Sequence, residues 1–167
     1  MAIEIEKKFL LTSDSWREGA SGQIYSQGYL SKSPEKTVRV RITETGAYLT
    51  IKGRPAVKDG KISAAKLEFE YSIPKADAEE LLKNLCSGPI IHKKRYCIEY
   101  RGFTWEVDEF FGENEGLLMA EIELEAEDQE FDLPPWIGEE VTSDKRYYNA
   151  SLSEYPYSQW GKGITEE

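Results

Sequence analysis

Apolar and charged residues alternate along much of this chain. In Ile3–Leu11, Ile3, Ile5 and Phe9 fall on one face and Glu4, Glu6 and Lys8 on the other. Successive strand side chains point to opposite faces, so this two-residue period predicts a strand. Strand patterns recur in Gln23–Leu30, Thr37–Thr43, Ala47–Gly53, Lys66–Ile73, Ile90–Tyr100, Phe103–Phe110 and Leu117–Glu127. Glu44-Thr45-Gly46 and Arg101-Gly102 supply hairpin connections, and Arg54–Lys61, with Pro55 and Asp59-Gly60, reads as a polar loop. Asp77–Leu85 has a helical period, with Leu81, Leu82 and Leu85 on one stripe. A short helix is expected in the acidic stretch after Glu127, and Pro134-Pro135-Trp136 breaks the chain before a helical segment around Ser143–Leu152. Many strands with few helices point to a closed antiparallel barrel or a sandwich, in a single domain over residues 1–167.

The polar face of these strands is almost purely charged. Arg39 and Arg41 alternate with Val38, Val40 and Ile42, and Thr50 and Lys52 with Leu49 and Ile51. Glu68 and Glu70 share a face, as do Lys93 and Arg95, Glu106 and Asp108, and the trio Glu121, Glu123 and Glu125. An open sheet with one wet face also alternates charged with apolar residues. Exposed strands, however, favour Thr and other β-formers, and like charges on neighbouring positions repel. The alternative is a barrel with its charges inside and its apolar faces turned outward. Clustered carboxylates suit a hard divalent cation, and arginine forks suit phosphate oxygens, so a metal with a polyphosphate satisfies both sets.

Composition narrows the partners. The net charge of −10 argues against general nucleic-acid binding, which requires a basic surface. No apolar run reaches the length of a membrane span, and the start lacks a signal-peptide core. The two cysteines, Cys86 and Cys97, have no metal-ligand spacing and read as buried free thiols in a cytoplasmic protein. His92, out of phase with Lys93 and Arg95, is expected to point away from the charged face, and the four tryptophans to serve packing.

Taken together, the motifs resemble one family. Glu4-Ile5-Glu6-Lys7-Lys8 matches the E-x-E-x-K opening of the CYTH superfamily, the triphosphate tunnel metalloenzymes. It is followed in the family's order by Gln27-Gly28-Tyr29-Leu30, Arg39-Val40-Arg41, Thr50-Ile51-Lys52, Glu68-Phe69-Glu70, Lys93-Lys94-Arg95, Trp105–Phe110 and Glu121-Ile122-Glu123. The tail Gly138–Tyr147 resembles the small bacterial members, and the resemblance runs over about residues 4–152. It implies a closed eight-stranded antiparallel barrel with a few flanking helices and a charged tunnel.

The resemblance also implies roles. Glu4, Glu6, Asp108, Glu121 and Glu123, with Glu68 and Glu70 as further candidates, would hold one or two Mg²⁺ or Mn²⁺ ions. Lys8, Arg39, Arg41, Lys52, Lys93, Arg95 and Lys145 would bind the triphosphate, with Lys8, Arg39, Arg41 and Tyr29 closest to the chemistry. Tyr29 would contact the phosphate chain or a lid at the tunnel mouth. The expected reaction is hydrolysis of inorganic tripolyphosphate to pyrophosphate and phosphate. Alternatives are a nucleoside or thiamine triphosphatase, an adenylyl cyclase, or a non-catalytic polyphosphate- or nucleotide-binding module. The expected partner is a small-molecule triphosphate, with neither nucleic acid nor membrane, and a homodimer is left open.

Overall fold

A computed structural model of the protein describes residues 3–33 and 35–160; the outermost parts of the 1–167 span lie outside the described residues. The strands are β1 (Ile3–Leu11), β2 (Gly22–Lys32), β3 (Lys36–Ile42), β4 (Ala47–Gly53), β5 (Val57–Lys58), β6 (Lys61–Ile62), β7 (Ala65–Ile73), β8 (Ser87–Tyr100), β9 (Phe103–Phe110), β10 (Leu118–Leu124) and β11 (Ile137–Glu140). The helices are α1 (Lys75–Asn84) and α2 (Asn149–Leu152). Among the described residues, eight strands run in the order β10-β9-β8-β2-β3-β4-β7-β1 and close through the β1–β10 pairing, all antiparallel. One edge of β1 is shared: β7 pairs with Ile3, Glu4 and Ile5, and β11 with Phe9 and Leu11. Closure removes the free strand edges that an open sheet would expose.

The apolar faces pack outside the barrel. On one flank, Phe9, Trp16, Tyr96, Trp105, Val107, Ala120, Ile122, Leu124 and Trp136 form a cluster, with Phe131 packed against it. The expected helix after Glu127 does not form. That segment has turns and irregular backbone, and Phe131 sits within ring-contact distance of Phe9, Phe103 and Trp105. On another flank α1 lays Ala78, Leu81 and Leu82 over Val40, Ala47, Ile42 and Leu49. Leu85, expected on that stripe, is 64% exposed because α1 ends at Asn84. The polar loop at Arg54–Lys61 contains most of a small hairpin, β5–β6, turning at Asp59-Gly60. The Arg101-Gly102 turn has φ of 47° and 85°, the left-handed pair that a tight hairpin requires. Both cysteines are free, but neither is buried, and Cys97 is exposed on β8. Among the described residues no helix is long and apolar enough to cross a membrane.

α1 also explains a glycine in the motif Gln27-Gly28-Tyr29. A Cβ at Gly28 would lie 2.9 Å from Ile90 Cδ1, 3.0 Å from Leu82 Cδ2 and 3.1 Å from Cys86 Cβ. Gly28→Ala is therefore expected to overpack this flank and destabilise the fold by about 1–3 kcal/mol. A thermal melt of the variant checks this; an unchanged Tm would show that the flank yields freely.

Candidate active site

The closed order of strands sorts the inward side chains by charge. β8, β2, β3 and β4 are contiguous and turn Lys93, Arg95, Arg39, Arg41 and Lys52 inward. β7, β1, β10 and β9 are contiguous too, and bring Glu68, Glu70, Glu4, Glu6, Glu121, Glu123 and Glu106. A basic half-barrel thus faces an acidic one across a cavity of about 590 Å³. Lys8 and Lys66 are the cations on the acidic half, and Lys145 reaches the cavity from the 3-10 turn Lys145–Tyr147.

One end of the bore is apolar. Ile91, Phe110 and Met119 share strand parity with the charged residues, yet they join Tyr29, Leu117, Val141, Tyr147 and Leu152 in a buried cluster. The C-terminal segment thereby fills this end of the barrel. Tyr29 lines the cavity at this plug and is buried within it, a setting unlike a mobile lid.

The basic half divides into two groups. Lys93 and Arg95 are already neutralised: Lys93 Nζ donates to Asp108 Oδ2 at 2.8 Å, and Arg95 Nε and Nη2 donate to Asp108 at 2.7 and 2.8 Å. Arg95 also reaches Glu121 at 2.7 Å and Glu106 at 3.3 Å. Arg39 and Arg41 are less engaged. Arg39 donates to Thr50 Oγ1 at 3.2 Å and lies 3.7 Å from Glu70, while its buried Nε has no hydrogen-bond partner among the described residues. Arg41 donates Nε to the Gln27 side-chain oxygen at 2.8 Å and makes no ion pair among the described residues. Burial, with Arg39 and Arg95 nearby, lowers its pKa to about 10, and it stays a cation at neutral pH.

Asp108 differs most from its expected grouping with the metal ligands. Both of its oxygens are bound by Lys93 and Arg95 on the basic side. Glu106, two residues earlier on the same face, stands among the acids instead. Burial raises its pKa, which Arg95 opposes and Glu121 and Asp108 reinforce.

The remaining carboxylates fit a divalent cation by their chemistry. Burial raises the Glu6 pKa, and Glu121 and Glu4 add to the shift against Lys8 and Lys52. Glu123 is raised by burial and by Glu4, Glu6, Glu106 and Glu68, and it makes no ion pair among the described residues. A cluster of oxygen donors that resists its own ionisation is what a hard cation relieves. Glu4 and Glu6 meanwhile pair with Lys52 at 2.9 Å and Lys8 at 3.3 Å, and Lys8 also binds Glu121. Among the described residues no three His, Cys, Asp or Glu side chains form a ready cage.

Several cavity residues escape sequence reasoning. Lys32 has the opposite parity to Tyr25 and Tyr29, and joins them because the β2–β3 register shifts between Tyr29 and Ser31. Lys66 sits two positions before Glu68, and its strand parity puts it on the same face. Burial, with Lys8 and Lys52 nearby, lowers its pKa to about 8, and its Nζ lies 4.5 Å from the Tyr148 ring centroid. Asn149 arrives on α2 and its side-chain oxygen accepts from Gln27 Nε2 at 2.9 Å and Lys93 Nζ at 3.1 Å. No strand period could have announced it. His92 is exposed and bonds Ser26 Oγ through Nδ1 at 3.0 Å, away from the bore.

The fold and its interior define a class: closed antiparallel barrels whose ionised side chains face inward as opposed acidic and basic walls. The CYTH domain model matches residues 2–155, and the chain belongs to the CYTH family. It is 48% identical to an inorganic triphosphatase of Acetivibrio thermocellus over 96% of this chain and 99% of that protein. It is 32% identical to an inorganic triphosphatase of Nitrosomonas europaea over 90% of this chain and 96% of that one. The crystal structure of the inorganic triphosphatase NE1496 superposes with a TM-score of 0.64 at 32% identity, covering 92% of this chain and 95% of that chain.

Proposed function

We propose that this chain, acting as a single domain in the cytoplasm, is a metal-dependent triphosphatase that cleaves inorganic tripolyphosphate to pyrophosphate and phosphate. The observation that carries this reading is the facing of the acidic and basic half-barrels across one cavity. Full-length similarity to two relatives named inorganic triphosphatase supports the choice of substrate. Two free cysteines fit a reducing compartment.

Phosphoryl transfer depends on positioning and charge neutralisation more than on covalent help from the protein. Arg39 and Arg41, the less neutralised of the basic group, hold phosphate oxygens, with Lys52 and Lys8 beside them and Lys145 reaching in from the 3-10 turn. Lys93 and Arg95, fixed by Asp108, complete the deep part of the basic wall. Glu4, Glu6, Glu121 and Glu123, with Glu106, Glu68 and Glu70 next to them, would hold Mg²⁺ or Mn²⁺. When bound, that ion neutralises phosphate oxygens and makes water a stronger nucleophile. Water attacks the terminal phosphorus in line, its proton passes to a carboxylate, and the phosphoanhydride P–O bond breaks to release pyrophosphate. Tyr29 shapes the floor on which the phosphate chain ends.

The test is phosphate release from tripolyphosphate, ATP, thiamine triphosphate and longer polyphosphate, each with Mg²⁺ and with Mn²⁺. Tripolyphosphate is expected to give the highest kcat/KM, and excess chelator to abolish turnover. Binding without phosphate release would reduce the protein to a polyphosphate-binding module.

Glu123→Gln gives a sharper check of the acidic wall, because its two effects have opposite signs. Removing a charge that its neighbours repel is expected to leave the metal-free Tm equal to or above wild type. Removing a ligand oxygen is expected to lower activity at limiting Mg²⁺ by about tenfold or more, with recovery as the ion is raised. Unchanged metal dependence would take Glu123 out of the metal site.

A further inference from the structure

Apart from Lys32 at its end, β2 is the uncharged strand of the basic half-barrel. Between cationic β8 and cationic β3 it turns Tyr25 and Tyr29 into the cavity, with Gln27 fully buried on the same face between them. Tyr25 pairs in register with Lys93, and Gln27 with Arg41. The Tyr25 ring centroid lies 4.9 Å from Arg41 Cζ and 5.3 Å from Arg95 Cζ, on the two sides of the strand. These guanidinium groups repel each other, and Arg95 is one of the groups that lower the pKa of Arg41. Arg95 is restrained by three carboxylates, whereas Arg41 is held by the neutral Gln27 oxygen and the neutral ring face.

We infer that Tyr25 is a positioning residue for tripolyphosphate binding: its ring seats the Arg41 guanidinium against the phosphate site without quenching its charge. A carboxylate in this place would fix Arg41 equally well, but it would compete with phosphate for the same cation. An aromatic face attracts the cation through its quadrupole and adds no net charge. Gln27 aligns the same group by accepting from Nε, and Asn149 fixes the Gln27 amide in turn. The hydroxyl of Tyr25 makes no hydrogen bond among the described residues, so the ring face is the functional part. This inference rests on the substrate proposed above and extends it to a residue outside the charged set.

The experiment compares Tyr25→Phe, Tyr25→Leu and Tyr25→Met, alone and combined with Arg41→Ala. It measures hydrolysis of tripolyphosphate, and by calorimetry the Kd for its non-hydrolysable methylene-bridged analogue, both with Mg²⁺ present. Tyr25→Phe keeps the ring and is expected to bind within about twofold of wild type. Loss of the ring face is expected to weaken binding and raise KM by about 5- to 30-fold, with kcat less affected. In the Arg41→Ala background the same change is expected to cost less than about twofold, because the group it positions is gone. Tyr25→Met fills similar space without a π face and replaces Tyr25→Leu if the latter fails to fold. Wild-type binding in either ring-loss variant overturns the inference. So does equal loss in Tyr25→Phe, which would assign the effect to the hydroxyl. A full effect persisting in the Arg41→Ala background overturns it as well. If wild type binds the analogue but releases no phosphate from tripolyphosphate, hydrolysis fails while the Kd series still decides Tyr25. If wild type neither binds the analogue nor hydrolyses tripolyphosphate, both readings fall.

Discussion

Asp108→Asn is expected to destabilise the protein by about 3–5 kcal/mol, the usual cost of breaking a buried ion pair by removing one partner. For a chain of this size that corresponds to a Tm lower by roughly 6–20 °C. Asp108 is 1% exposed and Lys93 is fully buried, so neither charge can turn to water when the other is lost. Burial alone would push the Asp108 pKa up; Arg95 and Lys93 outweigh it and hold the group below its ordinary value. The sign follows. A carboxyl held low stabilises the fold at pH above its unfolded value, and that contribution disappears as pH falls through its folded value. Asp108→Asn should therefore lower Tm at neutral pH and flatten the decline of Tm with acid. Activity should fall too. Burial, with help from Arg95 and Arg41, already lowers Lys93 to a pKa of about 7, and Asp108 is the main group opposing that shift. Without it Lys93 is expected to give up its proton more readily, which weakens the basic wall. A variant as stable and active as wild type would mean that Asp108 is replaceable, and that the division of the basic wall into fixed and free groups is wrong.

Arg39→Ala and Arg41→Ala are each expected to lose a charge-assisted contact worth about 1.5–3 kcal/mol, or about 10- to 150-fold in kcat/KM. Among the described residues Arg39 brings a buried Nε without a hydrogen-bond partner and Arg41 is held by neutral groups alone, which leaves both open to the proposed phosphate. Lysine should rescue them poorly, since an ammonium cannot make paired hydrogen bonds to one phosphate. Stability should change much less than in Asp108→Asn. Removing one of several mutually repelling cations relieves the cluster, which offsets the packing lost. The control is His92→Ala, expected to keep activity within about twofold because an exposed ring on the outer face touches nothing in the cavity. Loss of catalysis in folded His92→Ala, with both arginine variants unaffected, would show the inward set displaced by one residue.

The chain itself determined the strands, α1 and the set of inward-facing charges. A two-residue period states which side chains share a face, and the crowding of ionised groups on that face argued that it was enclosed. Glu4, Glu6 and Lys8, Arg39 and Arg41, and Glu121 and Glu123 were readable as cavity residues for this reason. What meets what across the bore was not readable, because parity carries no information about neighbours on other strands. Barrel closure and strand order decided that the charges separate into an acidic and a basic half, and placed Asp108 against Lys93 and Arg95 rather than with the other carboxylates. The same parity that marks Lys93 and Glu121 also marks Ile91 and Met119, yet these belong to an apolar plug completed by the C-terminal segment. Lys32 entered the cavity through a register shift, and Asn149 on a single turn of helix, neither of which leaves a periodic signal. Local geometry fixes a side chain's direction within one strand, while long-range closure fixes what it encounters there.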